Sequence, residues 1–432
     1  MKRRSFLGQV GAAAVAPLFQ SVPGRARTLR ADGAQVNRAL AAFDAIGRTP
    51  GGINRVAYSD ADIAGRTFTL DLFRRSGLAP HVDAAGNIVG RLEGLEPGLP
   101  PIVIGSHVDS VTDGGNFDGP VGSFGAIEVA RSLRAQGVRL RHPLEVVVWQ
   151  NEEGGTIGSK LAVGMLKASD LDAVARSGRT LREGIALTGG RVDELDRAVR
   201  GRGSVHAYLE LHIEQGGTLE REGLRIGTVT GIVGLRWFDV AVEGVANHAG
   251  TTPMDQRQDA LLAAAKFAVA VNDAIRAEPG RQVATVGRIV AAPNTRNVVP
   301  GRVDLTVDLR DIDPATLDRF EARFRQIATE IGDTTKTTFR MARSVDSAPA
   351  LSDARLMEAI DASRDALGLT GKRLPSGAGH DAQELAHIAA MAMIFVPSVG
   401  GISHSPKEFT DGADIAAGVD VLMNAVARAD EL

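Results

Sequence analysis

The run Ile102-Val103-Ile104-Gly105-Ser106-His107-Val108-Asp109-Ser110-Val111, continued by Gly114-Gly115-Asn116-Phe117-Asp118-Gly119-Pro120, decides how this chain is read. Ile102-Val103-Ile104 is a short apolar run bounded by Pro and Gly, which predicts a buried strand. His107 stands where that strand ends and Asp109 two residues on. Asp118 follows in a loop too rich in Gly and Asn for helix or strand. Imidazole and carboxylate gathered in this way suit a divalent metal, with Asp109 able to hold the His107 ring in one tautomer. An ordinary polar loop would look the same locally, so the rest of the chain decides.

Two further strands end in the same manner. Leu144-Glu145-Val146-Val147-Val148-Trp149 runs into Gln150-Asn151-Glu152-Glu153-Gly154. Ala207-Tyr208-Leu209-Glu210-Leu211 runs into His212-Ile213-Glu214-Gln215-Gly216-Gly217. Open α/β sheets build their sites at such C-terminal strand ends. A late strand, Met391 to Val396, leads to Gly400-Gly401-Ile402-Ser403-His404-Ser405-Pro406. His107, Asp118, Glu153, His212 and His404 are then five N/O ligands. They are too many for one tetrahedral zinc and enough for two metals if one carboxylate bridges. Glu152 beside Glu153 invites a division of labour, one ligating while its neighbour takes a proton.

Outward from these strands, 34–80 reads as helical, 81–92 as two short strands around Ala85-Gly86-Asn87, and 160–204 as helical and charged. From about Ile226 the texture changes. Trp237 to Val242 and Val303 to Leu309 alternate as half-buried strands, with amphipathic helices Asp259 to Ile275 and Ala315 to Ile331 between and after them. The order β-α-β-β-α-β matches a ferredoxin-like insert. The expected division is therefore a leader over 1–26, an α/β domain over 27–225, an insert over 226–343 and the return of the α/β domain over 344–432.

The chain has 432 residues, enough for two or three domains, and a hydrophobic fraction of 44%. Its net charge of -3 gives no electrostatic reason to propose nucleic acid or an acidic membrane. It has no Cys, so neither disulfides nor thiolate ligands are available. The opening Met1-Lys2-Arg3-Arg4-Ser5-Phe6-Leu7, a mild apolar run and the small residue Ala26 resemble a twin-arginine export signal. The apolar run is too short for a stable membrane span. Export to the periplasm is the expectation, with a cytoplasmic location the alternative. Loss of Lys2, Arg3, Arg4 and Arg25 with the leader would take the net charge from -3 to -7.

The ordered motifs GSHVDSVTDGGNFDGPVG, NEEG, LELHIEQG, GIVGLRW, NHAGTTPMDQRQDAL, PNTRNVVPG, DLRD, SGAGHDAQ and FVPSVGGISHSP resemble the M20-type dinuclear-metal amidohydrolases. The resemblance is to the branch of N-carbamoyl-L-amino-acid hydrolases, allantoate amidohydrolases and β-ureidopropionases. It implies a metallopeptidase-like α/β domain with a mixed sheet and an inserted α+β lid that dimerises. It implies that His107 and His212 hold one divalent ion, that Glu153 and His404 hold another, and that Asp118 bridges. Zn2+ is the first choice of metal, with Mn2+, Co2+ or Ni2+ as alternatives. Glu152 is then the general base, Asp109 orients His107, and His248 is lent to the partner subunit of a homodimer to stabilise the oxyanion. Arg236, Asn297 and Arg310 match positions that hold the substrate, and Gln215 and Gly401 join them. An ion pair with Asp308 or Asp311 is the alternative role for Arg310. His380-Asp381 either lines the pocket or braces the site.

The implied activity is hydrolysis of a linear C–N amide or ureido bond in a small carboxylate-bearing substrate. N-carbamoyl-L-amino acids come first. Allantoate follows, then the substrates of an M20-type aminoacylase or dipeptidase. A non-catalytic exported binding protein of the same fold should have lost a ligand or the base; this chain keeps Glu152 and all five ligands. After NEEG it departs from many relatives, since Gly155-Thr156-Ile157 leads straight to Gly158-Ser159.

Overall fold

Four apolar strands lie side by side and parallel: Ala390–Val396, Ala207–Ile213, Ile102–His107 and Leu144–Trp149. The computed structural model describes residues 28–432, so the leader expected over 1–26 lies outside the described residues. Every side chain of Ile102–His107, Leu144–Trp149 and Ala207–Ile213 is buried, as expected of parallel strands covered on both faces. Antiparallel strands flank them, Ile88–Leu92 beyond Leu144–Trp149 and Ile226–Ile232 beyond Ala390–Val396. Short edge strands complete a mixed sheet of nine strands.

Helices Gly33–Phe43, Pro120–Ala135, Ala354–Ala366 and Gly412–Ala429 pack with one face of this sheet through Phe43, Phe124, Ile360, Leu422 and their neighbours. The other face carries Val103, Trp149, Tyr208, Phe395 and the short helix Asp381–Leu385. Small residues allow the close approach. A Cβ on Gly122 would meet the Leu211 carbonyl oxygen at 2.1 Å, so only glycine lets helix Pro120–Ala135 sit on the strand Ala207–Ile213. Among the described residues no helix is long and apolar enough to cross a membrane.

The expected helical stretch 34–80 is two helices, Gly33–Phe43 and Asp60–Arg75, parted by a small hairpin, Arg48–Thr49 with Gly52–Ile53. The stretch 160–204 breaks into short pieces, the longest being Leu181–Leu187. Its many charges and Gly residues leave no apolar stripe long enough for one helix.

A second unit has its own core. Strands Gly234–Glu243, Val283–Ala292, Arg302–Asp311 and Thr338–Ser347 form an antiparallel sheet with Val283–Ala292 at one edge. Helices Ala260–Ala277 and Pro314–Thr335 pack together with it around Phe238, Phe267, Phe320 and Phe324. Chain order and sheet order are those of a ferredoxin-like split motif. Its lower boundary differs from the expected 226. Ile226–Ile232 pairs with Gly371–Ser376 and Ala390–Val396, so it belongs to the large sheet. The smaller unit runs from Gly234 to Ser347, and Ile232 pairs with Ala350 where the chain re-enters. Alternation alone did not mark this, because a buried strand and a half-buried one meet at the single residue Val233.

Candidate metal centre

The parallel strands deliver their last residues to one rim. His107 is the final residue of its strand and is held by both groups of Asp109: Nδ1 lies 3.1 Å from the Asp109 carbonyl and 3.5 Å from its carboxylate. The same carboxylate accepts the backbone N–H of Glu152 and of Glu153, each at 3.2 Å. Asp109 therefore sets both the ring of His107 and the turn that carries the acidic pair. His212 Nδ1 contacts the Ile213 carbonyl at 2.9 Å, which turns Nε2 inward.

Both imidazoles aim Nε2 at Asp118, His212 at 3.2 Å and His107 at 3.6 Å from Oδ1. Oδ2 lies 3.3 Å from His404 Nε2, which is 3.5 Å from Glu153. The five predicted ligands thus fall into two groups that share Asp118: His107–Asp118–His212 and Asp118–Glu153–His404. Within each group the ligand atoms are no more than 4.8 Å apart. Gly119 makes room for this. Its φ is +83°, and a Cβ there would stand 2.5 Å from the His107 ring.

The donor set fits divalent cations. His212 Nε2 is buried and has no hydrogen-bond partner, an orphan that a metal would satisfy. Charge argues the same way. Burial pushes Glu152 well above the usual carboxylate range, despite the pull of His107. Burial and Asp118 push Glu153 to about 7. Burial alone would raise Asp118 too, but the three imidazoles hold it well below its ordinary value. Burial would lower His107, yet Glu152, Asp109 and Asp118 hold it well above normal. The hydrogen bond to Asp118 raises His404 to about 9. Such opposed shifts mark a cluster whose crowded charges favour a bound cation.

Further acids stand behind the ligands. Glu210 is fully buried and accepts from Ser106 Oγ at 2.8 Å and Tyr208 Oη at 3.1 Å. Asp381 is buried too and accepts from Ser159 Oγ at 2.5 Å. His380 sets its ring edge-on to His212 with centroids 4.5 Å apart, and burial and His212 keep it well below its usual pKa. His380 and Asp381 are thus both buried behind His212. Glu210 and Glu408 were not singled out in the sequence. Glu210 carries a readable signal, an acid on an all-buried strand two residues before His212. Glu408, in Ser405-Pro406-Lys407-Glu408, carries none.

The substrate candidates divide. Gln215 Nε2 donates to Asp118 at 2.7 Å while its Oε1 is buried without a partner. Gly401 packs on Gly217, where a Cβ would meet the backbone N at 2.6 Å. Arg310 pairs with Asp308 at 2.9 Å and also donates to the Gly377 carbonyl at 2.9 Å, which links the smaller unit to the glycine-rich loop. Asn297 and His248 are exposed on paired strand ends, joined by the bond from Ala249 N to Asn297 O at 3.0 Å. His248 Nδ1 accepts from Gly250 N and Thr251 N at 3.0 and 3.2 Å, so its proton rests on the outward Nε2. No hydrogen bond or ion pair among the described residues joins His248 to the His107–His404 cluster.

Arg236, expected at the substrate, lies elsewhere. Its guanidinium is buried against Asp318 at 2.6 Å, Glu321 at 3.2 Å and Asp346 at 3.4 Å, all in the smaller unit. Arg236 shares the helix-covered face with Phe238 and Val240, so it cannot take a substrate carboxylate.

Residues 103–428 match the family model described as Peptidase family M20/M25/M40. The chain belongs to the M20 peptidase family. M20 enzymes bind divalent metals, in keeping with the cluster at Asp118. The chain is 38% identical over 387 residues to an N-carbamoyl-L-amino acid amidohydrolase of Geobacillus stearothermophilus, covering 88% of this chain and 94% of that one. It is 36% identical to a ureidoglycolate hydrolase of Arabidopsis thaliana, over 87% of this chain and 82% of that one. A crystal structure of an amidase of the hydantoinase/carbamoylase family from Burkholderia multivorans superposes with a TM-score of 0.84. It is 36% identical and covers 93% of this chain and 98% of that one.

The placement of Arg236 gives a test. Arg236→Met should cost about 1.5 kcal/mol in urea unfolding, the order of a lost charge-assisted hydrogen bond, because Glu321 keeps Arg325 and Arg343 and Asp318 is mostly exposed. KM for the substrate should stay within about twofold, since the guanidinium faces a helix. A many-fold rise in KM with unchanged stability would restore Arg236 to the substrate site.

Proposed function

We propose that this M20 enzyme is a two-metal amidohydrolase that cleaves the carbamoyl group from N-carbamoyl-L-amino acids. The observation that carries this reading is the pair of ligand groups sharing Asp118, with the free acid Glu152 3.7 Å from His107 Nε2. The carbamoylase and ureidoglycolate hydrolase names of its relatives support a ureido acid as substrate. His107 and His212 would hold one ion and Glu153 and His404 the other, with Asp118 between, and Zn2+ is the proposed metal. Such a pair supplies Lewis acidity toward the ureido carbonyl and acidifies water.

The Glu152 side chain is only 10% exposed, and Asp109 accepts its backbone N–H, so the carboxylate is held where it can take and return a proton. It accepts the proton of the attacking water and passes it to the amino-acid nitrogen as the C–N bond breaks. The carbamate released then falls to CO2 and ammonia. Asn297 binds the substrate carboxylate through its amide, and Arg310 joins it by exchanging Asp308 for the substrate on its guanidinium fork. Gln215, with an unpartnered Oε1 beside Asp118, accepts from the ureido nitrogen. His248 Nε2 donates to the oxyanion of a neighbouring subunit.

The smaller unit offers a surface for such a dimer. Its edge strand Val283–Ala292 exposes Val283, Ile289 and Val290, and the helix Ala260–Ala277 exposes Leu262 and Val269. An open strand edge beside exposed aliphatics is a ready template for pairing with a second copy. We also propose that the leader exports the folded enzyme to the periplasm.

Ammonia release by the metal-reconstituted enzyme should be fastest on N-carbamoyl-L-amino acids among carbamoyl amino acids, allantoate, ureidopropionate and N-acyl amino acids. Glu152→Gln should keep its metals and lose about 100- to 10,000-fold in kcat, the range for a lost acid–base group. A Glu152→Gln enzyme of near wild-type kcat sinks the assignment. Mixing inactive His248→Ala and Glu152→Gln subunits should restore activity in heterodimers, each of which has one site with both residues intact; no recovery argues that His248 serves its own chain. Replacing Arg3 and Arg4 by Lys should move the enzyme from the periplasmic to the cytoplasmic fraction, and identical fractionation refutes export.

A further inference from the structure

Glu408 joins the two loops that carry Asp118 and His404, which are distant in sequence. One carboxylate oxygen accepts the backbone N–H of Phe117 at 2.8 Å and of Asp118 at 3.0 Å. The other accepts the backbone N–H of His404 at 3.3 Å and lies 2.9 Å from Ser403 Oγ. Ser403 Oγ is also 2.8 Å from Asp118 Oδ2, so one hydroxyl spans both carboxylates. Glu408 is 5% exposed, and among the described residues no Lys, Arg or His lies in ion-pair contact with it. A buried carboxylate satisfied almost wholly by backbone N–H groups of two loops is a tie between them. Gly115 keeps the space for it, since a Cβ there would stand 2.2 Å from Glu408 Oε1.

The two ligand groups depend on this tie unequally. His107 and His212 sit at the ends of central strands and need no loop to place them. Asp118 has other anchors: the helix that starts at Pro120 and the bond from Gln215. His404 has neither. It lies in a loop, half exposed, with φ of 53° in the left-handed region that costs a non-glycine residue. Its backbone N–H is held by Glu408.

We propose that Glu408 is a positioning residue that sets His404 against Asp118, so that its loss weakens the Asp118–Glu153–His404 metal position and spares the His107–Asp118–His212 position. This rests on the two-metal reading above. Glu408→Gln keeps the shape but places an amide N–H2 against N–H donors on one side or the other. Co2+ titrated into the metal-stripped full chain, followed by calorimetry and by visible absorption, reads the two positions separately. Wild type should take up two equivalents. Glu408→Gln should bind the first as wild type does and the second at least about tenfold more weakly, the loss expected when a residue supporting a metal ligand is removed. Where that variant does not fold, Gly115→Ala displaces the carboxylate without changing it and should give the same selective loss. Two equivalents bound with wild-type affinities, or both weakened alike, overturns the inference and leaves the two-metal reading standing. A wild type that takes up a single equivalent overturns both.

Discussion

Asp118 shared among three imidazoles is the constraint on which the rest of the centre depends. One buried carboxylate faces His107, His212 and His404 within 3.6 Å. A carboxylate in that position cannot be desolvated without cations around it. The protein meets this by bringing candidate ligands from four strand ends and setting further polar groups around them. Asp109 orients one histidine and both acidic neighbours, Glu408 ties two loops, and Glu210 and Asp381 lie beneath. Carboxylates outnumber histidines here, so the assembled site carries an excess of negative charge that favours divalent ions over protons.

The site joins a stiff half to a compliant one. His107 and His212 end neighbouring parallel strands inside the sheet, with backbones fixed by ladder hydrogen bonds. The remaining parts ride on turns with left-handed residues that are not glycine: Asn151 before Glu152, Thr156 after Glu153, Gln215 and His404 itself. Each such residue costs of order 1–3 kcal/mol and persists only where its surroundings over-determine it. The hydrogen bonds of Asp109 to the Glu152–Glu153 turn and of Glu408 to the His404 turn are what over-determine two of them.

Much of this was legible in the sequence, for definable reasons. Apolar runs that stop at His107, at Glu152-Glu153 and near His212 mark strand ends, and strand ends of a parallel sheet converge on one rim. What was not legible depended on direction rather than identity. Arg236 and Arg310 both sit in alternating strands of the smaller unit and look alike one at a time. In the sheet Arg236 pairs with Leu309, so the two share the face covered by helices, while Arg310 shares the other face with Leu235. The buried run Arg236, Phe238, Val240 and Val242 already contained that phase. The boundary at Val233 was hidden because two apolar strands of different sheets adjoin there. Glu408 was hidden because a contact across 290 residues leaves no local spacing to read.

The phase of those strands also bears on how the two units act together. Arg310, on the open face, reaches the Gly377 carbonyl, and Gln383 from the next short helix donates to the Ala348 carbonyl where the smaller unit ends. The same helix supplies Asp381 to Ser159 and Glu384 to Thr156, just after the acidic pair. The loop and helix from Ser376 to Leu385 therefore touch both the smaller unit and the turn that carries Glu152. The segment that packs His380 against His212 is thus also the one that contacts both the smaller unit and the turn after the acidic pair.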